Sequence, residues 1–112
     1  MSGFAGHALA LGYFGMPSAA ETKAGLPLHG EASSVAWKIL KESGGSAAGS
    51  VSMEAQLPAS GLRMRRDIEL RRDESFARIS ETVTNLRDSD NYFQWVEHAT
   101  FGEPLMSPKV SV

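Results

Sequence analysis

The chain has 112 residues, with 11 Lys and Arg against 13 Asp and Glu and no cysteine. That length holds one domain burying roughly two thirds of its unfolded surface, and the near-cancelled charge offers no broad basic field, so neither nucleic acid nor a membrane is an expected partner. Without cysteine there is no disulfide framework, thiolate zinc site or cysteine nucleophile.

Residues 1–17 are apolar, but no Lys or Arg precedes Lys23, and Gly3, Gly6, His7, Gly12 and Gly15 interrupt the run short of the ~20 residues a membrane span needs. The stretch reads as neither signal peptide nor anchor, and the chain is expected in the cytoplasm. Residues 1–30 form a loop-rich leading segment: Pro17, Pro27 and many glycines leave no sustained period, only room for short strands. Ser18 is placed to cap a single helical turn ending near Lys23.

From residue 31 to 106 the pattern is an antiparallel meander. Strands are predicted at 35–41, 50–57, 62–72, 76–85 and 92–101. The turn signals between them are Ser43-Gly44-Gly45-Ser46, Pro58 with Gly61, Asp73-Glu74-Ser75 and the polar run from Arg87 to Asn91. Five such strands imply a mostly β domain, either one antiparallel sheet or part of a β-sandwich. The open edges of a lone sheet invite self-association. Residues 107–112 resemble the opening of another strand, so the domain is expected to be incomplete or to finish its sandwich by association.

Three strands carry residues that break the apolar alternation. Arg66 lies in phase with Leu62, Met64, Ile68 and Leu70; it must find a carboxylate, point at a polar ligand, or carry its head to water at the sheet edge. Asn85 shares a face with Ala77, Ile79 and Val83, as a turn-fixing residue or a ligand contact. On the last strand Phe93, Trp95, Glu97, Ala99 and Phe101 share one side, and Tyr92, Gln94, Val96, His98 and Thr100 the other. Aromatic rings beside a carboxylate or histidine suit a sugar, whose C–H faces pack on rings while its hydroxyls need polar partners. The same aromatics also serve as plain core with Glu97 at a strand end. His29 sits before Gly30, in a loop where backbone can approach a ligand closely. The histidines lack metal-ligand spacing, and neither a phosphate-binding glycine loop nor a Gly-x-Ser-x-Gly elbow is present, so no metal and no cofactor is expected.

Two motifs in order carry a resemblance. Gly25-Leu26-Pro27-Leu28-His29-Gly30-Glu31-Ala32, followed by Trp37, resembles the leucine-histidine-glycine loop of the galactose mutarotase-like (aldose 1-epimerase) superfamily. Glu81-Thr82-Val83-Thr84-Asn85 and then Trp95-Val96-Glu97-His98-Ala99-Thr100-Phe101-Gly102-Glu103-Pro104 resemble its next stretch, where a strand ends in asparagine and a second presents a histidine. The resemblance implies a large β-sandwich whose cleft binds an aldose or sugar phosphate and interconverts its anomers. It makes His29 a sugar contact and His98 the general acid that protonates the ring oxygen, with Arg66 a further sugar contact. Neutral-pH proton exchange by histidine fits that chemistry. The family's base is a glutamate from a later strand, which neither Glu97 nor Glu103 matches, so this chain alone is expected to hold the acid half and to be inactive. Two other readings stand beside this one: a non-catalytic carbohydrate-binding β domain, and a structural domain that pairs its open edge with another chain.

Overall fold

In a computed structural model, residues 7–100 are described. The helical turn expected after Ser18 is present as α1 (Ala19–Lys23). It closes with a capping box in which the Ser18 hydroxyl accepts the Glu21 N–H and the Glu21 carboxylate accepts the Ser18 N–H. Everything else regular is strand: β1 (His7–Gly12), β2 (Lys38–Gly44), β3 (Ala48–Leu57), β4 (Leu62–Arg71), β5 (Ala77–Asn85) and β6 (Gln94–Ala99). The chain is thus mostly β and its named sheets are antiparallel. None of the described helices is long and apolar enough to cross a membrane.

β2 to β5 form the expected meander, a four-stranded sheet in sequence order. The turn at residues 58–61 brings Leu57 opposite Leu62, and that register stacks Leu57, Leu62 and Asn85 in one row, Ala55, Met64 and Val83 in the next, and Met53, Arg66 and Glu81 in a third. Leu57, Leu62 and Met64 are wholly buried, whereas on the same face further along, Ile79 and Leu70 are 40% and 55% exposed. One half of the face is covered and the other is not.

The cover comes from a second layer, and here the structure corrects the single meander expected over 31–106. β6 leaves the four-stranded sheet and pairs with β1, His7 opposite Ala99 and Gly12 opposite Gln94. β1 supplies Leu9 and Leu11, which pack with Ala32, Ala55, Leu57, Leu62 and Met64 into the core, flanked by Val35, Trp37 and Val83. Alternation then turns Leu9, Leu11, Trp95 and Glu97 toward the four-stranded sheet and Ala8, Ala10, Val96 and His98 away from it.

The first meander strand also begins later than expected, at Lys38 rather than at residue 35, and runs through Ser43 and Gly44. Residues 31–37 are held in turns instead. Ser34 and Val35 donate their N–H groups to the Glu31 carbonyl, and the Trp37 indole N–H donates to the Ala32 carbonyl at 2.9 Å. The buried Glu31 carboxylate accepts the backbone N–H groups of Ala59 (3.1 Å) and Ser60 (2.7 Å), tying this segment to the β3–β4 turn. Residue 101, the end of the last predicted strand, lies outside the described residues.

Gly30 joins the loop to β1 through a parallel bridge to Leu11, at φ 80°. A Cβ added there would stand 2.0 Å from the Leu11 carbonyl oxygen, against backbone that cannot yield. Gly25 also has a positive φ, 88°, but faces open space. Alanine at either position incurs about 1–2 kcal/mol of left-handed strain, so in urea unfolding Gly30→Ala is expected to destabilise well beyond Gly25→Ala; equal losses would remove the close approach as a constraint. Leu11→Ala is expected to cost about 2–5 kcal/mol through the cavity it leaves.

Candidate functional site

His29 is the only described non-glycine residue with positive φ, at 61°. Two bonds to one residue hold it there: its N–H donates to the Gly15 carbonyl (3.1 Å), and its Nδ1 accepts the Gly15 N–H (3.1 Å). In the neutral ring the proton therefore sits on Nε2. The ring stacks on Phe14, centroids 4.8 Å apart with 29° between planes. Such fixed local strain concentrates at functional positions.

His98 reaches the same place from the other end of the described chain. A cleft of about 120 Å³ is lined by Ala8, Leu9, Ala10, Phe14, His29, Ser33 and His98. The two alanines of β1 give it a flat apolar floor, Phe14 an aromatic wall that is 51% exposed, and the histidines and Ser33 its polar groups. It is smaller than the roughly 300–1,000 Å³ of drug-sized sites, so a single ring-sized molecule is what it suits.

The other sequence-selected residues do not join this cleft. Arg66, 8% exposed, resolves its burial by finding carboxylates: its guanidinium bonds Glu81, reaches Glu97 at 3.0 Å, and lies 5.9 Å over the Trp37 ring. Glu97 in turn accepts the Trp95 indole N–H at 2.7 Å. Arg66, Trp95 and Glu97 thus gather on the side of β6 that faces the four-stranded sheet, opposite His98. Asn85 fixes a turn, donating to the Ser89 carbonyl (2.8 Å) and accepting the Arg87 N–H (3.0 Å). The expected single sugar cleft holding all six residues is therefore divided. Among the described residues no group of three His, Asp or Glu is arranged to hold a metal ion.

Sequence reasoning passed over Glu81, Glu31 and Phe14. Glu81 had a readable signal: in a meander whose turns fix the register, it is the residue that must stand beside Arg66. Comparison with known proteins assigns no family, since no family model, curated protein or solved structure gives a significant match to the chain.

The cluster sets two acids on one cation. Burial, and then the hydrogen bond with Glu97, push the Glu81 carboxyl up to about 7, against the downward pull of Arg66. A carboxyl raised on folding binds its proton more tightly in the folded state, so its stabilisation is full below about 4.5 and fades as pH rises through about 7. Unfolding free energies measured across that window are expected to fall with pH more steeply in the native chain than in Glu81→Gln. Parallel profiles would show that the folded and unfolded carboxyls titrate alike.

Proposed function

We propose that the cleft binds the pyranose form of an aldose and that the chain is an aldose 1-epimerase-like protein of the galactose mutarotase-like superfamily. One observation carries the reading: two histidines far apart in the sequence, each in a motif resembling that superfamily, line one ring-sized cleft. The apolar floor and Phe14 suit the C–H face of a sugar, and the imidazoles and Ser33 suit its hydroxyls.

In this reading His98, as imidazolium, gives its proton to the ring oxygen while a base removes the proton of the anomeric hydroxyl. The bond from C1 to the ring oxygen breaks, the aldehyde rotates, and reclosure on its other face returns the ring-oxygen proton to His98 while the protonated base gives its proton back to the former carbonyl oxygen. His29, held with its proton on Nε2, donates to a sugar hydroxyl. Among the described residues no carboxylate lines the cleft to serve as that base, and Glu97 is turned the other way. That absence among the described residues favours, as second reading, a carbohydrate-binding domain without turnover.

Imidazole resonances of His29 and His98, followed by NMR while unlabelled aldoses are added, are expected to shift together, and α–β exchange of the bound sugar to quicken. His98→Ala is expected to remove that acceleration, a general acid contributing about 10²–10⁴-fold. Shifts without faster exchange select the binding domain. Histidines unmoved by every free and phosphorylated hexose would sink both readings.

A further inference from the structure

Two hydroxyls are buried with nothing to bond: those of Tyr13 and Ser60 have no hydrogen-bond partner among the described residues. Buried polar groups are otherwise paired almost without exception, so an orphaned pair points to something outside the chain that completes it. We propose that both belong to a second binding site, for a small carboxylate, where the end of β1 meets the β3–β4 turn and the segment joining β5 to β6. The site shares no lining residue with the histidine cleft and does not rest on the sugar reading.

Gly12, Tyr13, Ser60 and Arg87 line one pocket of about 170 Å³. Ser60 is 9% exposed, and its hydroxyl faces Gly12, where an added Cβ would stand 2.6 Å from the Oγ. The missing side chain is what keeps room in front of that hydroxyl. Arg87 lies across Gly61, and its guanidinium donates to the Ala59 carbonyl at 3.0 Å. Among the described residues no carboxylate stands within ion-pair distance of it. The Asn91 amide donates to the Ser60 carbonyl at 2.8 Å, and Glu31 accepts the N–H groups of Ala59 and Ser60. The turn that carries the Ser60 hydroxyl is therefore bonded on both sides, and the site is organised before any ligand arrives.

A guanidinium without an acid, beside two hydroxyls that can each donate, is a donor set for an oxyanion. Charge decides which one. Glu21 also lines the pocket, and its carboxylate accepts the Ser18 N–H at 2.7 Å, a bond that holds it below the usual carboxylate range and ionised at neutral pH. One cation beside one fixed anion suits a monoanion; a phosphate dianion would face Glu21 with a single arginine to offset two charges. A carboxylate also matches the arginine fork with both its oxygens. Leu26 and Phe93 complete the lining with apolar surface for a short hydrocarbon body.

Butyrate and inorganic phosphate are the probes, added while the Arg87 guanidinium and the Tyr13 ring are followed by NMR. Both groups are expected to shift together and to saturate with butyrate, and to bind phosphate more weakly. Arg87→Gln is expected to abolish saturation, and Tyr13→Phe and Ser60→Ala each to weaken butyrate about tenfold, as befits a lost hydrogen bond to a charged group. Should Arg87→Gln disturb the turn through the lost Ala59 bond, the two hydroxyl deletions still decide. Without butyrate each is expected to hold or raise the urea midpoint, because it removes a group that the fold leaves unpaired. A hydroxyl with a purely structural role gives the reverse, a lowered midpoint with the butyrate response unchanged. That result overturns the carboxylate site, as do shifts that never saturate, shifts at Arg87 that leave Tyr13 unmoved, or phosphate binding more tightly than butyrate.

Discussion

A two-stranded ribbon has too little to bury to be stable in water by itself, and the docking of β1 and β6 on the four-stranded sheet is the constraint from which the rest follows. Leu9 and Leu11 go down onto Leu57, Leu62 and Met64, and the period of two then forces Ala8, Ala10 and His98 up. The cleft floor is the reverse side of the core contact. Gly30 completes the arrangement. By meeting the Leu11 carbonyl at a distance only glycine permits, it brings the preceding residue, His29, to the rim of the same surface.

Arg66 occupies the row where the covered half of the sheet face gives way to the bare half. A hydrophobic residue there would stabilise the core at least as well, since desolvating an ion pair about cancels its attraction. What an arginine adds is direction: it fastens to carboxylates on two other strands in different layers, which a leucine cannot do. Beyond it the rows through Val51, Ile68 and Ile79 and on to Leu70 remain apolar in composition but lie partly or largely open. The change from covered to open face coincides with the change from leucines to the ion cluster.

The meander was legible because each of its strands alternates over enough residues to state its own phase: the faces read from β3, β4 and β5 are the faces the register produces. The partner of β6 was not. β1 is short and follows a glycine-rich stretch, and nothing local distinguishes a final strand that extends a sheet from one that crosses to another layer. β2 starts at Lys38 and not at residue 35 for a related reason. Val35 and Trp37 read as alternating strand residues, but the hydrogen bonds that hold 31–37 in turns run to Glu31 and Ala32 and onward to the β3–β4 turn, none of which the apolar pattern encodes.

The same limit applies to the site. Strand alternation places Glu97 and His98 on opposite faces from sequence alone, and once β6 lies between two layers each face belongs to a different environment. Consecutive residues so placed cannot both touch one ring-sized molecule. A sugar contacted by His98 must therefore be recognised without Trp95 and Glu97, although their aromatic-plus-acid pattern suits a carbohydrate. The weight shifts to Phe14, which sequence offered no reason to select and which packs against the ring of His29. In the proposed reading the aromatic wall beside the sugar is supplied by the leading segment instead of the last strand.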